Sequence, residues 1–218
     1  MKKPVLAKEN AVLLEDRRFM RLFDLQYEPG RHYFEATRRS PEELMATKSE
    51  EECKAALPDA VSCFVILDIP GEEPRLLLSY EFRYPVGQFL ISPPAGLMDP
   101  EDRFEKEPVL ACAAREIREE TGLTVKEGDR LFVVNPLCFS TPGMTDESNA
   151  LACAVIHLSD YSSLTQEGAL GQEMFNGFEP VTKEEARKLL SEGRDRNGMF
   201  YSLFTWAACM YFLSDLWK

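Results

Sequence analysis

Glu107 to Leu123 reads EPVLACAAREIREETGL. Its spacing predicts a helix over Val109–Thr121, closed by Gly122, the residue type that most readily ends a helix in the left-handed conformation. Successive residues on a helix advance by about 100°. Glu119 therefore lies about 60° to one side of Glu116, and Glu120 about 40° to the other. Three carboxylates share one face within little more than a turn. Like charges at that spacing destabilise an isolated helix. Arg115 stands four residues before Glu119 and can bridge it, but one guanidinium cannot neutralise three carboxylates. Alongside that face Val109, Ala113 and Ile117, flanked by Leu110 and Ala114, form an apolar stripe. That stripe is expected to pack on a sheet, leaving the acid face to point into a cleft.

A divalent cation can compensate such a face. With no histidine or cysteine in the set, the donors are hard oxygens, which suit Mg²⁺ or Mn²⁺ better than Zn²⁺. Mg²⁺ held by a few carboxylates completes its shell with waters and phosphate oxygens. Three glutamates taken alone also describe a solvated acidic helix face, so the rest of the chain has to decide between the two readings.

The chain has 218 residues, 44% of them apolar and 28% charged, a globular balance for one core plus an accessory segment. Asp and Glu number 37 against 25 Lys and Arg, giving a net charge of −12. That balance disfavours an electrostatic nucleic-acid binder. None of the six cysteines forms a C-x-x-C pair, and the two histidines, His32 and His157, lie far apart. Buried reduced thiols are expected, rather than a disulfide framework or zinc site. The N-terminal stretch Met1–Lys8 lacks an apolar signal core of useful length, so the expected location is cytoplasmic. Met199 to Trp217 is apolar and aromatic but carries Ser202, Thr205, Ser214 and Asp215. It reads as a packed C-terminal helix of the domain or of a dimer, not a membrane span.

Strand signals run along most of the chain. Arg21–Tyr27 and His32–Arg38 flank a Glu28-Pro29-Gly30 turn. Val61–Leu67, Arg75–Phe82, Gln88–Ser92, Arg130–Pro136, Ala150–Leu158 and Gly171–Phe178 follow. Ser40 to Ala56 is acidic and helix-prone, with Ser40-Pro41-Glu42-Glu43 as its start, and Thr182 opens a helix to about Glu192. Mixed strands with few helices argue a layered α/β (α+β) core. Two strands and a turn are not stable alone in water, so the first segment must lean on the main domain or on another chain. The expected division is 1–57, an N-terminal antiparallel strand segment, and 58–218, the main domain.

Gly96, then Glu107, then seven residues, then REIREETGL from Arg115 to Leu123 resembles the Nudix box, G-x5-E-x7-R-E-U-x-E-E-x-G-U with U aliphatic. Every fixed position from Glu107 onward matches. One departure is clear: ten residues, not five, separate Gly96 from Glu107. A loop insertion there costs little and keeps the helical spacing. Phe82–Gly87 with Pro94–Leu97, and Ser140–Glu147, are similar to the branch that hydrolyses ADP-ribose and nucleotide sugars.

The resemblance implies a Nudix-like α/β/α sandwich around a mixed sheet, and pyrophosphate hydrolysis dependent on Mg²⁺ (or Mn²⁺). It implies that Glu116 and Glu120 are the central metal ligands, with Glu119 assisting and the carbonyl of Ala95 a further ligand. Arg115 would position Glu119, and Glu107 would sit behind the ligands or act through water. Glu147 would accept the proton of the attacking water, with Asp146 as fallback. Arg83 is the candidate to grip the diphosphate, because guanidinium forks match phosphate oxygens. In the N-terminal strand pair Phe34 could stack on adenine, Glu35 could bond its amine and Arg39 could meet phosphate or ribose, with Phe19 a weaker stacking partner. The expected reaction is ADP-ribose to AMP and ribose 5-phosphate, by a homodimer. A GDP- or UDP-sugar and a non-hydrolysing ADP-ribose sensor are the alternatives, and cap hydrolysis is disfavoured by the charge.

Overall fold

The computed structural model describes residues 3–168 and 173–218. In chain order the strands are β1 (Ala11–Arg17), β2 (Met20–Glu28), β3 (Arg31–Thr37), β4 (Ala60–Asp68), β5 (Arg75–Arg83), β6 (Gln88–Ser92), β7 (Ala95–Leu97), β8 (Arg130–Phe139), β9 (Ser148–His157) and β10 (Phe175–Val181). The α-helices are α1 (Glu50–Lys54), α2 (Pro108–Thr121), α3 (Lys183–Glu192) and α4 (Leu203–Ser214). The first two residues of the strand expected at Gly171–Phe178, 171 and 172, lie outside the described residues. The chain divides into two units: Met1–Asp59 with Leu137–Asn149, and Ala60–Pro136 with Ala150–Lys218.

The second unit is built on a seven-stranded sheet ordered β10-β5-β4-β9-β8, with β6 on β5 and β7 on β4. Strand β4 is buried almost end to end, and its alternate side chains serve two cores. Phe64 and Ile66, with Leu76 and Leu78 of β5, join Ala186 and Leu189 of α3 and Ala208, Cys209 and Phe212 of α4. Val61, Cys63, Val65 and Leu67, with Leu77, join Cys112, Ala113 and Ile117 of α2. Helices cover both faces, which is the α/β/α sandwich. The C-terminal apolar stretch is the 12-residue helix α4, with Ala208, Cys209 and Phe212 fully buried. No described helix is long and apolar enough to cross a membrane.

The first unit carries the antiparallel sheet β1-β2-β3 around a small core of Leu6, Phe23, Leu25 and Leu44. Sequence reading missed β1, whose AVLLEDR is exposed along nearly all its length and has no alternating pattern to see. The helix expected to begin at Ser40 does not form there. Residues 41–43 make turns, Met45–Thr47 a single 3₁₀ turn, and α1 begins only after Ser49. Buried Leu44 and the Met45 N–H, which donates to Asp146 at 3.1 Å, tie this segment down. Ser49 and Glu52 then form the reciprocal cap that starts α1.

Candidate active site

Helix α2 starts with Pro108 in its first turn and ends at Gly122, whose φ of 75° is left-handed and whose N–H bonds the Arg118 carbonyl. Its apolar residues Ala113 and Ile117 are fully buried against the sheet. The helix is thereby fixed in rotation, and its acid face is set with it. Glu116 and Glu120 are themselves buried, at 5% and 2% exposure. Glu119 is partly buried and pairs with Arg115 and Arg118.

Strand β7 lies beside this face. It pairs antiparallel with β4, Val61 opposite Gly96. The Ala95 N–H donates to both carboxylate oxygens of Glu120, at 3.3 and 3.4 Å. A Cβ on Gly96 would lie 2.1 Å from the Glu116 carboxyl, so any larger residue there would displace that side chain. The five extra residues after Gly96 therefore leave its place against the helix intact.

Arg115 does more than bridge Glu119. Its Nη1 donates to Glu116 at 2.7 Å and to Glu119 at 3.3 Å. Its Nη2 donates to Asp102 at 2.7 Å and to the Leu97 carbonyl at 2.9 Å. Glu107 is the exposed residue just before α2, and its carbonyl accepts the N–H groups of Leu110 and Ala111. Arg83 ends β5 and pairs with Glu81 at 2.7 Å.

Burial pushes the Glu116 carboxyl up to about 7, against the pull of Arg115. Burial also raises Glu120 well above the ordinary range, and the charges of Glu81 and Glu116 add to it. Glu81 was not legible as a site residue. It sits on β5 and meets Glu120 only through the fold. Buried carboxylates that crowd one another favour either a proton or a cation. Among the described residues no three acid side chains close on one point as a finished cage. The donor chemistry, all oxygen and anionic, and the room that Gly96 leaves for Glu116 fit a hard divalent ion.

In the first unit a cavity of about 360 Å³ is lined by Leu25, Tyr27, Tyr33, Glu35, Phe139 and Met144 among others. Glu35 is buried, and its Oε2 has no hydrogen-bond partner among the described residues. Phe34 is 58% exposed and does not line the cavity, because side chains alternate along β3. The same alternation places Tyr33 with Glu35, a signal available from sequence. Phe19 is exposed at the β1–β2 turn, under Arg18. The buried Arg39 guanidinium is engaged by Asp59 at 2.8 Å, Ser148 at 3.0 Å and Asp146 at 3.5 Å. Asp146 also accepts from the Thr37 hydroxyl at 2.6 Å. Glu147 is partly exposed and pairs with Arg38 at 2.8 Å.

Glu35 makes stability depend on pH. Burial, then the nearby Asp146 charge, raises it from 4.5 to about 7, with Arg39 opposing. As pH rises from about 4.5 to about 7 the unfolded chain releases this proton before the folded one, so stability falls across that window and the loss is complete above it. E35Q should therefore raise the urea midpoint relative to wild type by more at pH 8 than at pH 5. An equal difference at the two pH values would remove the effect.

The NUDIX domain family model matches residues 56–199. An uncharacterized Nudix hydrolase of Schizosaccharomyces pombe is 36% identical over 101 residues, covering 46% of this chain and 44% of that protein. The ADP-ribose pyrophosphatase of Saccharomyces cerevisiae is 31% identical over 102 residues, covering 46% of this chain and 40% of that one. The matched stretch thus spans less than half the length of these curated relatives. A crystal structure described as an ADP compounds hydrolase superposes with a TM-score of 0.56 over 100% of this chain and 95% of that chain, at 17% identity, a likeness of fold.

Proposed function

The chain belongs to the Nudix family, and from that premise we propose that it hydrolyses the pyrophosphate bond of ADP-ribose to AMP and ribose 5-phosphate, using Mg²⁺ or Mn²⁺. The observation that carries this reading is the buried pair Glu116 and Glu120, turned by α2 toward Gly96 and Ala95. A diphosphate resists nucleophiles because its oxygens are anionic. A bound divalent ion offsets that charge and acidifies water. Glu116, Glu119, Glu120 and the Ala95 carbonyl are the groups proposed to hold it. Arg115 orients Glu116 and Glu119, and Glu107 supports the start of the helix. Arg83 is proposed to bind phosphate oxygens in exchange for its bond to Glu81.

The first-unit cavity supports a nucleotide with a purine base. Tyr27, Tyr33 and Phe139 offer flat apolar surface, and the unpartnered Glu35 oxygen can accept from an exocyclic amine. Val12, Leu13, Leu14, Phe19 and Met20 are exposed apolar side chains of the β1–β2 region, which supports a homodimer. Light scattering of the purified chain tests that assembly.

Glu147 is proposed as the proton acceptor, oriented by Arg38. E147Q should lower kcat by at least ~10²-fold, within the usual range for general-base loss, while Mn²⁺ affinity stays at the wild-type value. An unchanged kcat would move the base elsewhere. The reading as a whole is tested by incubating the chain with nucleoside diphosphate compounds, with and without Mg²⁺, and separating products by chromatography. AMP and ribose 5-phosphate from ADP-ribose, formed only with the cation, are expected. Turnover of a GDP- or UDP-sugar in preference would overturn the base assignment. Binding of ADP-ribose without cleavage would make the chain a sensor.

A further inference from the structure

The stretch that departs from the family motif is not idle loop. Within Leu97 to Lys106, Asp102 opens a 3₁₀ turn and is 7% exposed. One of its oxygens, Oδ2, accepts the Asp99 N–H at 2.9 Å and the Arg115 Nη2 at 2.7 Å. The Leu97 carbonyl takes the same nitrogen at 2.9 Å. The other terminal nitrogen of Arg115 serves Glu116 and Glu119. Arg115 is therefore shared between two sets of partners through two different nitrogens. Its Nε lies 3.5 Å from the half-exposed Asp99 and makes no hydrogen bond among the described residues, so it fixes neither set.

This division has a consequence for a cation. Arg115 is itself a positive charge on Glu116 and Glu119, and any divalent ion must share those oxygens with it. The stronger the hold of Arg115 on the two glutamates, the weaker the ion. Asp102 supplies a competing, buried, charge-assisted bond on the far side of the guanidinium. It lets Arg115 remain in place, still ordering the helix face, without depending wholly on the glutamates for neutralisation.

We propose that Asp102 is a positioning residue for the cation-binding face, holding the Arg115 guanidinium by Nη2 so that Glu116 and Glu119 remain available to a divalent ion. The proposal rests on the cation reading above, and its test separates the two. D102N keeps an oxygen to accept the Asp99 N–H, so the turn retains its cap, but it removes the charge. D102S is the second variant, because a serine hydroxyl can also cap the turn by accepting the Asp99 N–H and carries no charge.

Free Mn²⁺ is titrated against the full chain and followed by its electron paramagnetic resonance signal, for wild type, D102N, D102S and E120Q. The wild type should bind Mn²⁺, and E120Q should lose it. D102N and D102S should bind it about 10-fold more weakly, the lower end expected when a group that orients a ligand is removed. In the hydrolysis assay D102N should need about 10-fold more Mg²⁺ for half-maximal rate. Its kcat at saturating Mg²⁺ should return to within about twofold of wild type, a split that a general structural defect does not give. If wild type fails to bind Mn²⁺, the cation reading falls and this proposal with it. If wild type binds, E120Q does not, and D102N binds as wild type does, the cation reading stands and the role of Asp102 is overturned. Should D102N not fold, D102S decides: wild-type Mn²⁺ affinity in that variant overturns the proposal equally.

Discussion

E120Q is expected to cut turnover at least ~100-fold, the loss typical of removing a group central to a metal site, and to leave the chain folded. Without divalent cations it should also unfold at a higher denaturant concentration than wild type. Both outcomes follow from one fact. Glu120 is 2% exposed and pressed by the charges of Glu81 and Glu116, so its ionised form costs stability unless a cation is near. Its folded carboxyl is raised above the unfolded value, so that cost grows as pH rises through the shifted range. Glutamine keeps an oxygen for the Ala95 N–H and loses the charge. Melting curves with and without Mg²⁺, beside the hydrolysis assay, check the pair of effects. A variant that retains full turnover, or that loses activity only because it unfolds, contradicts the role given to Glu120.

G96A should be nearly as damaging by a different route. A Cβ there would lie 2.1 Å from the Glu116 carboxyl carbon and from one of its oxygens. The β7 backbone is paired to β4 and cannot retreat freely. Glu116 must swing away, although its oxygen is held by Arg115 at 2.7 Å. Displacement of a reacting-site group by about 1 Å can cost ~10²-fold, and a loss of that size in kcat/KM is expected, together with weaker Mn²⁺ binding. Circular dichroism and the melting temperature should show a folded chain. Wild-type kcat/KM in G96A would mean that Glu116 does not act from the position described.

Helix α2 was legible because its information is local. Ala113 and Ile117 repeat at helical spacing, Gly122 closes the helix, and the faces of Glu116, Glu119 and Glu120 follow from 3.6 residues per turn. The Arg115–Glu119 bridge was legible for the same reason. Asp102 and Glu81 were not. The first reaches Arg115 from 13 residues away, and the second reaches Glu120 from another element of the sheet, where no spacing rule applies. The resemblance implies Phe34 for stacking by its position in the strand pair, whereas strand alternation places its neighbour Tyr33 on the cavity side with Glu35. In the segment from Ser40, acidic composition suggested a long helix, but buried Leu44 and the bond from Met45 to Asp146 hold it in turns until Ser49 supplies a true cap. Tertiary anchoring outweighed propensity there.

In the proposed reading α2 turns Glu116 and Glu120 toward a shared divalent ion beside β7. Crystals of the chain soaked in Mn²⁺, with anomalous diffraction collected near the manganese edge, test it directly. The account predicts an anomalous peak within about 2.0–2.6 Å of oxygens from both glutamates, the span of hard-cation coordination. Anomalous density confined to other carboxylates, with none against Glu116 or Glu120, would contradict it.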